Sequence, residues 1–208
     1  MRLHPPIALR SGFSPDIYWN LFRSYLAHVM TYPNFSLWAP TSAYLRMAQE
    51  ASANSAQAWA IGLGVAIEGL VGLVEIEEDI ERKNQLNNLR KFIIDCVSCN
   101  EDLNFMSDRV RGMLSGLTRV RPIDRLNWLV SNGKVSSSSV RSWRNMRNRS
   151  VHPIINRNDN SMGRDFQKLL DEINCATNLM YQIVLFIINY NGGYTDYSKD
   201  GFPSAEFI

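Results

Sequence analysis

The stretch Ala58–Ile76, "AWAIGLGVAIEGLVGLVEI", decides the fold. Its length and apolarity suggest a membrane span, but Glu68 stands near its centre and glycines occupy 62, 64, 69 and 72. It is therefore read as a helix buried in a soluble core. Each of these glycines weakens an isolated helix by about 1 kcal/mol, so tolerating four of them implies close approach of a neighbouring backbone. The helix is expected to start at Asn54 or Ser55 and to run on into the acidic stretch "EIEEDIE", whose carboxylates form a solvated face. Glu68 either finds a partner, as a buried carboxylate must, or faces water on one stripe.

Outward from this helix the same period recurs. Ser14 and Pro15 mark a helix start, and Ile17, Leu21, Phe22, Tyr25, Leu26 and Val29 give it an apolar stripe as far as about Tyr32. Thr41 is a candidate cap for a short helix through "SAYLRMAQEAS". The segments "QLNNLRKFIIDCVSC" and "EDLNFMSDRVRGMLSGL" are amphipathic; Pro122 opens a further helix, with Gly133 just past its end. A serine cluster can cap a helix beginning near Ser137 or Ser138, and Pro153 stops it at or before His152. The last long helix, containing "LMYQIVLFIINY", is too short in its apolar part to span a bilayer and is expected to end at Gly192 and Gly193. The tail "YTDYSKDGFPSAEFI" reads as an extended strap. No β-branched alternating run bounded by hairpin turns is found. The prediction is an all-α domain, with residues 1–54 as accessory helices and residues 55–208 as the main helical unit.

Composition narrows the function classes. With 208 residues, 45% hydrophobic, the chain can bury a core. A net charge of +2 and a pI near 8.5 are too mild for a histone-like binder, so nucleic-acid contact must come from local clustering of basic residues. Three cysteines, Cys96, Cys99 and Cys175, make no disulfide framework and suit a reducing interior. Cys96 and Cys99 form a C-x-x-C, but no second Cys/His pair at zinc spacing follows, so no metal or cofactor is expected. "MRLHPPIALRSGF" lacks the apolar centre of a signal peptide, and the expected location is the cytoplasm, with no membrane partner. Its abrupt start is also compatible with a domain cut from a longer protein.

Chemistry concentrates in "RSWRNMRNRSVHP", Arg141–Pro153. Arg141, Arg144, Arg149 and Arg157 supply positive charge with no acid before Asp159, a stripe suited to phosphates. Arg147 and His152 are five residues apart; a continuous helix would leave them about 140° apart around its axis. They converge if the helix breaks before Pro153, or if each meets a symmetry mate. Trp143 could stack a base, but at helical spacing from Val140 and Arg147 it reads first as packing.

"RNRSVH", Arg147–His152, fits the R-x(4–6)-H motif of the HEPN superfamily of helical domains, including the Asn directly after the Arg, and the segment resembles the ApeA-like branch. The resemblance covers roughly Ser55–Tyr197, taking in "AIEGL" upstream and "YNGGYTDY" after the last helix. It implies a HEPN-type bundle and metal-independent RNA cleavage in a homodimer that places two motifs around one composite site. Arg147 and His152 would be catalytic, Asn148 would orient the phosphate or His152 or make only a helix-terminal hydrogen bond, and Glu68 would brace Arg147. The substrate would be RNA, tRNA included, in a toxin or antiphage defence effector held in check by an antitoxin or sensor domain. The bare spacing is not specific: "RSYLAH" gives Arg23 and His28 the same separation, in mid-helix, without the Asn and without a breaker, and His28 reads as a helix-surface or core-edge residue. A second reading is a catalytically silent dimerisation or interaction module of the same fold that binds RNA, a nucleotide or a partner protein through the same basic end; a third is an unrelated helical scaffold.

Overall fold

The computed structural model describes residues 3–8, 12–32, 39–76, 80–100, 104–116, 120–151 and 162–208. The described chain is all-α: eight helices and one small two-stranded sheet. It divides into two compact units, residues 1–74 with 126–208, and residues 75–125. The larger unit holds α1 (Pro15–Met30), α2 (Pro40–Ser52), α3 (Ala56–Gly72), α7 (Ser137–Val151), α8 (Met162–Ile187), β1 (Gly192–Thr195) and β2 (Ser204–Phe207). Thus α1 and α2, expected as accessory helices, belong to one unit with α3, α7 and α8. The smaller unit holds α4 (Ile80–Ser98), a 3-10 turn (Asn104–Met106) and α5 (Ser107–Leu114), and the boundary at residue 125 falls within α6 (Pro122–Ser131).

The core of the larger unit forms where α3 packs against α2, α7 and α8. The Ser55 hydroxyl caps α3 by accepting from the Ala58 N–H at 3.1 Å, and most of the helix is buried, including Leu63, Ile67, Leu70 and Val71. Two glycines admit α2. A Cβ on Gly62 would overlap the Ala51 Cβ, and a Cβ on Gly69 would overlap the Tyr44 ring. At position 62 the neighbouring backbone does come close, with Met47 O at 3.6 Å; at position 69 the close neighbour is a side chain. The helix does not continue into the acidic stretch as expected. It stops at Gly72, where helix propensity is poor, and Val74 turns out of the helix to bury its side chain.

Other boundaries follow local chemistry. α6 ends with Gly133 at φ +68°, its N–H on Val130 O and that of Lys134 on Leu129 O, the paired bonds of a Schellman motif. Ser136 accepts from the Ser139 N–H at 3.1 Å and so caps α7. α2 begins at Pro40 rather than behind a Thr41 cap, and Thr41 is buried instead. Ser14 stands at the N-cap of α1 without a side-chain cap bond. The end of α8 is set by Asn189, at φ +51°, with the same paired bonds from Asn189 and Tyr190; Gly192 and Gly193 instead open β1.

The tail is more ordered than a strap. β1 and β2 pair antiparallel, Gly192 opposite Phe207 and Thr195 opposite Ser204. The N-terminal segment lies beside them: Thr195 N–H donates to Pro6 O, Ala8 N–H to the Thr195 hydroxyl, and the Tyr197 hydroxyl to Pro5 O. Asn178 of α8 anchors the tail by accepting from the buried Tyr197 N–H at 3.1 Å. Asn178→Ala strands that N–H. The expected cost is about 1–3 kcal/mol, which for a chain of this size lowers the melting temperature by roughly 2–12 °C in calorimetry.

Candidate functional site

The sequence motif is carried by α7, which contains no acidic residue. Val140, Trp143 and Met146 are buried, and this stripe turns the polar residues outward. Arg141, Arg144, Asn145 and Asn148 are exposed and spaced i, i+3, i+4, i+7, so they share one face along about 10 Å of helix. Asn148 is exposed; the segment past the helix end, toward which the helix-terminal bond considered from sequence would turn, lies outside the described residues. Trp143 packs in the core and is not open to a base. His152 and Arg157 lie outside the described residues.

Arg147 and Arg149 stand on opposite edges of this face, and each meets a carboxylate from a neighbouring helix. On the α3 side, the Arg147 Nε forms an ion pair with Glu68 Oε1, with the side chains 47% and 31% exposed. Glu68 therefore does not merely face water. A pair this wet contributes about 0–1 kcal/mol, so its consequence is positional: it fixes the guanidinium against α3 through Nε. A Cβ at Gly64 would lie 4.0 Å from the Arg147 side chain, an ordinary contact, so the approach does not depend on glycine at this position.

On the α8 side, Arg149 Nη2 donates to Glu172 Oε1 at 3.2 Å, with the side chains 35% and 8% exposed. Arg149 Nη1 and Glu172 Oε2 are buried without a hydrogen-bond partner among the described residues. Arg149, expected to bind phosphate, thereby links α7 to α8 while its side chain stays about a third exposed. Sequence reading did not single out Glu172, although the signal was present: it lies at helical spacing from Leu169, Ala176 and Leu179, a carboxylate on an apolar stripe as Glu68 is.

Burial raises the Glu172 carboxyl above its ordinary value of 4.5; the Arg149 and Lys168 cations oppose this and Asp171 adds to it. A raised acid holds its proton to higher pH in the folded than in the unfolded chain. Its favourable contribution is complete below the unfolded value and is lost as pH rises through the folded one. Melting temperatures of Glu172→Gln and the parent chain should therefore shift relative to one another between pH 4 and pH 7, in favour of Gln as pH rises. A difference independent of pH would show that the carboxyl titrates alike in both states.

The second R-x(4)-H pair is differently placed. His28 is partly buried, shares a 2.9 Å hydrogen bond with the Thr41 hydroxyl and meets the Tyr32 ring edge-on; burial lowers its pKa. Arg23 is exposed, and both residues line a cavity of about 410 Å³ by the end of α8. His28 is thus the core-edge residue expected. Cys96 and Cys99 are exposed, Cys175 is partly buried, and all three are free. Among the described residues no three His, Cys, Asp or Glu side chains gather, and no helix is long and apolar enough to cross a membrane. Comparison of the chain with family models, curated proteins and solved structures gives no match.

Proposed function

We propose that the chain is a metal-independent endoribonuclease of the HEPN type, with Arg147 and His152 as its catalytic pair and Asn148 beside them. The observation that carries this reading is the Glu68–Arg147 ion pair at the edge of an exposed, acid-free Arg/Asn face. A bracing carboxylate is what an arginine needs if it is to present a fixed donor geometry to a phosphate as charge builds on it. His152 supplies the proton transfer: it takes a proton from the ribose 2′-OH as that oxygen attacks phosphorus, or gives one to the departing 5′ oxygen. The products are a 2′,3′-cyclic phosphate and a 5′-OH end. Arg141 and Arg144 hold flanking phosphates. An RNase acting on cellular RNA harms its own cell, so the proposal includes a restraint such as an antitoxin or a sensor domain.

The proposal also includes a homodimer with a composite site. In support, Ile61 and Val65 are about half exposed on the otherwise buried α3, at the spacing that continues to Glu68. The silent module of the same fold has its own support: Glu68 and Glu172 take up two of the motif arginines and so reduce the free positive charge of this end. Incubation of tRNA and single-stranded RNA with the chain in EDTA separates the two. Cyclic-phosphate ends support the enzyme; salt-sensitive binding without new ends supports the module.

A further inference from the structure

We propose that α1 is a self-association surface, through which two copies of the chain pair antiparallel about a two-fold axis near Ser24. No residue of this helix is buried. Trp19, Phe22, Leu26 and Met30 are 65, 56, 44 and 58% exposed and stand at spacings of 3, 4 and 4, a single apolar stripe along the outer face. The inner face, with Ile17, Leu21, Ser24 and Tyr25, is the more covered one. The stripe thus extends beyond the apolar face that seats the helix in its own unit and meets it at Phe22, which edges the cleft lined by Leu21, Tyr25, Tyr181 and Leu185.

Register and area both select a second copy as the occupant. In an antiparallel pair centred near position 24, Phe22 meets Leu26 of the second copy and Trp19 meets its Met30, because both sums of residue numbers fall at 48 to 49. One symmetry operation then satisfies the whole stripe, each aromatic ring against a flexible aliphatic or thioether chain, a favourable contact for Met. At about 200 Å² for each large side chain, the four leave roughly 450 Å² open. A standard interface covers about 800 Å² per partner, a little over half of it apolar, which is also roughly 450 Å². The antiparallel arrangement sets the positive end of each helix dipole beside the negative end of the other.

This inference does not rest on the nuclease reading, because its surface is separate from the Ile61–Val65 face. Sedimentation velocity at micromolar concentration tests it on the whole chain, comparing wild type, Phe22→Asp/Leu26→Asp, and Ile61→Glu/Val65→Glu. The α1 double variant should halve the mass of the wild-type assembly, from dimer to monomer or from tetramer to dimer, with its helical circular dichroism unchanged. Trp19→Ala, a milder change at the rim, should weaken the same step by about tenfold or more. A monomeric wild type, or an assembly whose mass survives both α1 variants, overturns the proposal. A wild type that is monomeric and binds lipid vesicles through Trp19 also overturns it, by assigning the stripe to a bilayer. The Ile61/Val65 variant reads the composite-site dimer separately, so either interface can fail alone.

Discussion

Replacing Arg147 or His152 with alanine is expected to lower RNA cleavage in EDTA by about 10²-fold or more, while the folded content of the protein is unchanged. Arg147 is nearly half exposed and its ion pair with Glu68 is wet, so truncation removes little stability and much of the charge that would face the phosphorane. The effect should fall on kcat and on kcat/KM together, as for an interaction made in the transition state. Glu68→Gln discriminates position from charge. It keeps an acceptor for Nε but loses the carboxylate, and the expected loss is about tenfold or less in kcat, on the order of 1.4 kcal/mol. Equal cleavage by wild type, Arg147→Ala and His152→Ala would remove both residues from the chemistry. DNA of the same sequence, lacking the attacking 2′-OH, should remain intact.

The largest stability effect is expected from Gly62→Leu. Even a Cβ at this position overlaps the Ala51 Cβ, and Met47 O lies just beyond, so a leucine must push α2 off α3. Overpacking of this kind costs about 1–3 kcal/mol or more, and a melting temperature lower by roughly 2–12 °C or more follows for a chain of this length. Gly72→Ala is the control. It lies in the same helix, open space surrounds it, and its alanine variant should gain up to about 1 kcal/mol from restricting the unfolded chain. If both variants melted alike, the glycines would be acting through helix propensity alone.

These glycines also show how far the sequence could be read. Four of them in one apolar helix pointed to close packing, and position 62 is packed for that reason, whereas position 72 marks a helix end, a role the spacing alone does not reveal. The helix starts at Pro15 and Pro122 and the stop at Gly133 were legible, because the signal and its effect lie within one turn. The two-stranded sheet was not. Its short strands hold little alternation of their own, and their hydrogen-bond partners include residues 5–8, far away in sequence. At the site, Glu68 and Arg147 were each singled out from sequence. Glu172 escapes because its partner Arg149 reads from sequence as a phosphate-binding residue, and a pair is seen only when both members are suspected.

The larger unit is assembled from two stretches of chain with residues 75–125 between them. During synthesis α3 therefore emerges well before α7 and α8, the helices that cover it. At about 5–20 residues per second, the ribosome needs roughly 6–20 s to go from Val74 to the end of α8. Over that interval α2 is already made while α7 and α8, its other main partners among the described helices, are not, and the apolar α3 must wait for them. Production of this protein should thus be more sensitive to chaperone supply and translation speed than its finished fold is to heat.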